Sequence, residues 1–224
     1  MKRFLRDNGL SVGFGLLFAG ALVGQALTGH AAATSQRVAR GFEPISLGDY
    51  LTSADFAVDV AENWQSEYLQ FFLYVVATVW LVQRGSPESK PPADIGTEND
   101  RAQQVGRYAT AESPRWARAG GWRTAVYSRS LGLAMLVLFL GSWSTQLVAG
   151  RAARNSELLS EFQDPLSLSA YLWSADFWNR SLQNWQSEFL AIASMAVLSV
   201  YLRQRGSPES KPVGAPHRVT RESG

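Results

Sequence analysis

The nine residues Gln83-Arg84-Gly85-Ser86-Pro87-Glu88-Ser89-Lys90-Pro91 occur a second time, letter for letter, at residues 204–212. Working outward from this block, residues 8–91 align with residues 129–212 at a constant offset of 121, without a gap. About 36 of the 84 aligned positions are identical, far above chance for a fixed register. Asn63-Trp64-Gln65-Ser66-Glu67 returns as Asn184-Trp185-Gln186-Ser187-Glu188, and Ser53-Ala54-Asp55-Phe56 returns as Ser174-Ala175-Asp176-Phe177. The chain is a tandem duplication, and its fold must be solved twice by one design.

Each copy holds two apolar stretches. The first runs from about Leu10 to Leu27 and recurs at Leu131–Val148; the second runs from about Trp64 to Val82 and recurs at Trp185–Leu202. A helix crosses a bilayer in about 20 residues, so each stretch is read as a span. Glu67, Gln70 and Glu188 interrupt the second member of each pair. The expected fold is all-α: a four-transmembrane-helix bundle made of two parallel two-helix repeats, with helical extracytoplasmic loops. The expected divisions are a first repeat at 1–92, a cytoplasmic linker at 93–128, a second repeat at 129–213 and a disordered tail at 214–224.

Charge sets the expected orientation. Residues 1–9, 84–130 and 203–224 carry 16 of the 21 Lys and Arg residues, whereas 30–63 and 151–184 carry five. Basic segments stay in the cytoplasm, which places both termini and the linker inside the cell. Each repeat then begins and ends inside, so the two are parallel, related by a pseudo-twofold along the membrane normal. Lys2-Arg3, an apolar run and Ala31-Ala32-Ala33 resemble a cleavable signal. The same element recurs at 131–148, where it cannot be one, so the first stretch is read as a retained span.

Pro44-Ile45-Ser46-Leu47 and Pro165-Leu166-Ser167-Leu168 have the composition of helix starts. From Phe56 the spacing Phe56, Val60, Trp64, Tyr68 is helical, which extends the second span outward from the bilayer. In the linker, Trp116 and Trp122 sit among Arg115, Arg118 and Arg123. Aromatic and basic residues together suit anionic headgroups.

Glu67 and Glu188 are the sharpest candidate site residues. Counting back from Arg84 or Arg205, each lies about 25 Å up its helix, just inside a core about 30 Å thick. A carboxylate there is costly unless paired or wetted. Twofold symmetry could gather the two, with Gln25 and Gln146, toward one axis, to share a proton or hold a cation. Asn63, Asn184, Gln65 and Gln186 precede them. The competing reading makes the asparagines N-caps and places the glutamates in a first helical turn. In the nine-residue block, Arg84, Lys90, Arg205 and Lys211 are candidates for cytoplasmic docking or headgroup contact, against a simpler helix stop followed by Gly and Pro. Gly20-x-x-x-Gly24 reads as a packing seam.

Several chemistries are excluded. With no cysteine, the chain has no disulfide, thiolate nucleophile or Cys-ligated metal. Its two histidines, His30 and His217, lie outside the apolar stretches, so a bis-histidine haem within the bundle is out. A net charge of +2 implies no nucleic-acid field. No metal, cofactor or catalytic constellation is expected, so the chain is read as not an enzyme.

The NWQSE segments, each followed by an apolar span and QRGSPESKP, together with Phe4–Ser11, Val105–Tyr108 and Trp116–Gly121, resemble an uncharacterised bacterial membrane-protein family of unknown function, of a kind common in actinobacteria. The resemblance implies a multi-pass protein of the bacterial inner membrane and brings no activity or site residues with it. The expected function is a non-enzymatic scaffold or interaction subunit with the lipid bilayer, and a membrane-protein partner or a second copy, as partners. The alternative is a small ion or proton channel or transporter using Glu67 and Glu188.

Overall fold

The computed structural model of the protein describes residues 2–220, and every regular element among them is helical. In chain order the α-helices are α1 (Lys2–Asp7), α2 (Gly9–Ala39), α3 (Leu47–Leu51), α4 (Ala54–Ala77), α5 (Arg115–Ala119), α6 (Gly121–Tyr127), α7 (Ser130–Ser160), α8 (Leu168–Leu172) and α9 (Ala175–Tyr201), with short 3-10 turns at Pro92–Asp94 and Gly106–Tyr108. Among the described residues, two helices, α2 and α7, are long and apolar enough to cross a membrane. The helices α4 and α9, whose amino-terminal halves are charged, do not meet the same measure.

The expected stretches at 10–27 and 131–148 sit inside the longer helices α2 and α7, whereas those at 64–82 and 185–202 start inside α4 and α9 and run past their ends. Asn63 and Asn184 are not caps: α4 and α9 begin nine residues earlier. The caps there are Ser53 and Ser174, whose hydroxyls accept from the backbone N–H of Phe56 (3.2 Å) and Phe177 (3.3 Å). Helix α4 also stops at Ala77, short of Val82. The Thr78 hydroxyl donates to the Tyr74 carbonyl at 2.6 Å, and Trp80 N–H turns back to Ala77 at 3.0 Å. Such local bonds draw the chain out of the helical ladder.

Two compact units divide the chain: Met1–Ala61 with Thr145–Leu172, and Glu62–Ser144 with Trp173–Gly224. The first unit repeats one device. Tyr50 and its equivalent Tyr171 are buried, and their hydroxyls press into notches left by Gly29 and Gly150. His30 Nε2 meets the Ile45 carbonyl at 2.7 Å; at the equivalent place Arg151 Nε donates to the Leu166 carbonyl at 2.8 Å. The short helices start on equivalent serines, with Asp49 N–H on Ser46 Oγ and Ala170 N–H on Ser167 Oγ, both at 3.1 Å. Burial and the charges of Asp59 and Asp55 push the Tyr50 phenol above its ordinary range.

The turn before each short helix differs in one residue. After α2, Gly41 takes φ +80° while Phe42 N–H returns to the Arg37 carbonyl. After α7 the same turn places Phe162 at φ +58°, with Gln163 N–H on the Leu158 carbonyl. A left-handed residue suits glycine and strains phenylalanine. Phe162 is also 99% exposed.

In the second unit α4 and α9 run side by side. Glu62 pairs with Arg180 (3.1 Å), Gln65 with Trp185 (2.7 Å) and Gln70 with the Glu188 carbonyl (3.4 Å). The numbers rise together, so the helices are parallel, near-equivalent residues meeting across the pair. An aromatic cluster of Phe139, Trp143, Phe177, Trp178 and Trp185 packs with ring centroids 5.6–6.5 Å apart. It belongs to the second repeat, because Trp143 and Trp178 stand where the first repeat has Leu22 and Ala57.

Two outcomes test this account. Replacing Gly150 with Ala puts a methyl 2.5 Å from the Tyr171 hydroxyl and 3.2 Å from Val58. Overpacking of this kind costs about 1–3 kcal/mol, so Gly150→Ala lowers the melting temperature, and Gly150→Ala/Tyr171→Phe recovers part of the loss. Phe162→Gly removes left-handed strain and raises stability by up to about 1 kcal/mol in a denaturation measurement.

Candidate functional site

The parallel pairing of α4 and α9 opens a cleft of about 500 Å³ within the second unit, lined by Gln70, Phe71, Tyr74, Glu88, Ala191, Ile192, Met195, Ala196 and Glu209. Eight of these residues are equivalents across the duplication: Gln70 with Ala191, Phe71 with Ile192, Tyr74 with Met195, and Glu88 with Glu209. The cleft therefore lies on the local pseudo-twofold. Three of the four pairs differ, and the differences make the space: Ala191 leaves open what a second glutamine would fill. Only the glutamates are the same on both sides.

Glu88 and Glu209 come from the nine-residue block, whose fold explains most of its identity. The Ser89 hydroxyl accepts from Gln83 N–H at 2.8 Å, and Ser210 does the same for Gln204 at 2.9 Å. Lys90 Nζ donates to the Gly96 carbonyl (3.0 Å) and pairs with Glu98 (3.2 Å). Lys211 is 1% exposed and donates to the carbonyls of Pro216, His217 and Val219 at 2.9–3.3 Å. These lysines hold their own turns together, and Arg84 and Arg205 remain exposed. Residues 214–220 follow as turns tied by the Lys211 bonds; 221–224, part of the expected disordered tail, lie outside the described residues.

The turns bring the two block glutamates together at the mouth of the cleft. Glu209 hydrogen-bonds Glu88, and the Tyr74 hydroxyl donates to Glu88 as well. The hydrogen bond with Glu88, the Glu88 charge and partial burial push the Glu209 carboxyl above the ordinary carboxylate range. Two carboxylates this close favour holding one proton between them.

The glutamates singled out from the sequence lie on the same helix pair. Glu67 lies exposed on α4 and Glu188 half-buried on α9, near enough for their charges to act on each other. Gln65 is fully buried and accepts from Trp185 Nε1, whereas its equivalent Gln186 is exposed. Asn63 and Asn184 contribute their carbonyls to Ser66 and Ser187, one local bond made twice. Gln25 and Gln146 belong to the first unit, the former half-buried and the latter fully buried. Gly20 and Gly24 have open space where a Cβ would stand, so the small-residue seam is not closed by a neighbour. Among the described residues no group of three or more His, Cys, Asp or Glu could hold a metal ion.

The Glu209 shift makes a pH prediction. Its folded pKa is raised, so its contribution to stability is full below the unfolded value of about 4.3 and is lost as pH rises through the folded value. Glu209→Gln removes that loss. The variant should melt above wild type near neutral pH, and the gap should close on acidification below the ordinary carboxylate range, followed by thermal denaturation across pH.

No curated protein and no solved structure matches the chain. One protein family does, over residues 1–222. A match of that extent assigns the whole architecture to a single family, repeats and linker together, and the chain belongs to the family described as Domain of unknown function (DUF6766).

Proposed function

We propose that the protein is a multi-pass protein of the bacterial inner membrane that carries out no catalysis and handles a cation along the seam between α4 and α9. In this reading four stretches cross the bilayer, at about 10–27, 64–82, 131–148 and 185–202, with both termini and the linker in the cytoplasm. The carrying observation is that the duplication brings equivalent carboxylates toward each other twice, Glu67 with Glu188 on α4 and α9, and Glu88 with Glu209 in the turns that follow those helices. Paired carboxylates favour an entering proton or cation, which relieves their repulsion. Gln70 and Tyr74 add polar groups between the two pairs. The two apolar helices α2 and α7 support the membrane setting.

A second reading, an interaction subunit, is favoured by one surface. Trp116 and Trp122 stack edge-to-face at 5.8 Å on α5 and α6, both exposed, with Arg123 against Trp122. Such a patch suits anionic headgroups or a membrane partner, as do the exposed Arg84 and Arg205.

Reconstituted vesicles decide between them. Wild type should carry protons or small cations down an imposed gradient, and Glu67→Gln/Glu188→Gln should slow the flux by about tenfold or more, the scale expected when a charge partner is lost. Flux that the double variant leaves unchanged removes these carboxylates from the pathway.

A further inference from the structure

The cleft between α4 and α9 is much larger than a proton or a bare metal ion needs. Its volume of about 500 Å³ falls in the range of sites for small organic molecules. Most of its wall is apolar: Phe71, Ala191, Ile192, Met195 and Ala196. Its charge is all of one sign, since among the described residues no lysine, arginine or histidine lines it. The carboxylates sit together at one place, and the Tyr74 hydroxyl fixes Glu88 toward the cleft.

From this combination we propose that the cleft binds a monovalent organic cation with an apolar body, the positive centre against Glu88 and Glu209 and the body against Phe71, Ile192 and Met195. The inference rests on the cation-handling reading above and names its substrate class. Two carboxylates that hold one proton carry one net negative charge, which a single positive centre neutralises. A diffuse cation loses less hydration on entering an apolar space than a compact one. The faces of Phe71 and Tyr74 attract a cation as well as an apolar group. The duplication points the same way. Residues that must meet charge are alike in the two repeats, and those that must make room are unlike, with Ala191 facing Gln70 and Met195 facing Tyr74.

Equilibrium binding of tetraphenylphosphonium to the full-length protein in detergent, corrected against empty micelles, tests the proposal. Saturable binding to wild type is expected, with Glu88→Gln/Glu209→Gln weakening it by about tenfold or more, as loss of a charge partner does. Ala191→Leu fills the cleft without touching a charge and should weaken binding similarly while the melting temperature holds. Neutral triphenylphosphine oxide and compact tetramethylammonium should each bind at least about tenfold more weakly, since each keeps half of the recognition. No saturable binding to wild type, or binding unchanged in both variants, overturns the proposal. Cation or proton flux that depends on Glu67 and Glu188, in a protein that fails to bind the organic cation, overturns this inference alone. Cleft-dependent binding without flux supports the inference and overturns transport.

Discussion

The contact on which the rest depends is the parallel pairing of α4 with α9. Two helices that are copies of each other can meet in parallel only if their repeats enter the fold in the same direction. The pairing is held at one end by Glu62–Arg180 and the buried Gln65–Trp185 bond. A hydrogen bond from an indole to a buried amide is directional, and breaking one partner would strand the other without water. This sets the register. Once Gln65 faces Trp185, Glu67 must lie near Glu188 and the nine-residue turns must finish side by side.

The same pairing explains why the duplication is imperfect. A strictly symmetric pair would place like groups opposite each other along its whole length. Bulky residues would then clash and like charges repel. The chain resolves most of these positions by divergence: Gln70 against Ala191, Tyr74 against Met195, and the aromatic cluster built on Trp143 and Trp178 where the first repeat has Leu22 and Ala57. It leaves the carboxylates unresolved. Repulsion between them is the one unfavourable term that a bound proton or cation would turn favourable.

Much of the fold was legible in the chain. The repeat, the helical class and the helix starts near Ser46 and Ser167 follow from spacing and composition, because those signals are local. The helical spacing from Phe56 carries the second helix outward past Trp64, in line with its start at Ala54; only the competing reading of Asn63 and Asn184 as caps fails, because Ser53 and Ser174 cap these helices. The cleft was not legible. Glu88 and Glu209 stood in the most conspicuous block of the chain and read as part of a stop signal. Nothing in the order of residues says that the lysines turn inward to cap carbonyls while the glutamates turn toward each other. That direction is set by the serine bonds at Gln83 and Gln204, which exist only in three dimensions.

The turn of the first repeat is completed from far along the chain. Gly85 N–H donates to the Thr220 hydroxyl at 2.9 Å, 135 residues away, and the carbonyl of His217 lies where a Cβ on Gly85 would stand. Such a contact closes late, since a long loop must be gathered before it forms. As the chain leaves the ribosome, the first repeat therefore cannot reach its finished state alone, however closely it resembles the second. The copies mature as one object: a gene that doubled has become a protein whose halves no longer have separate folding lives.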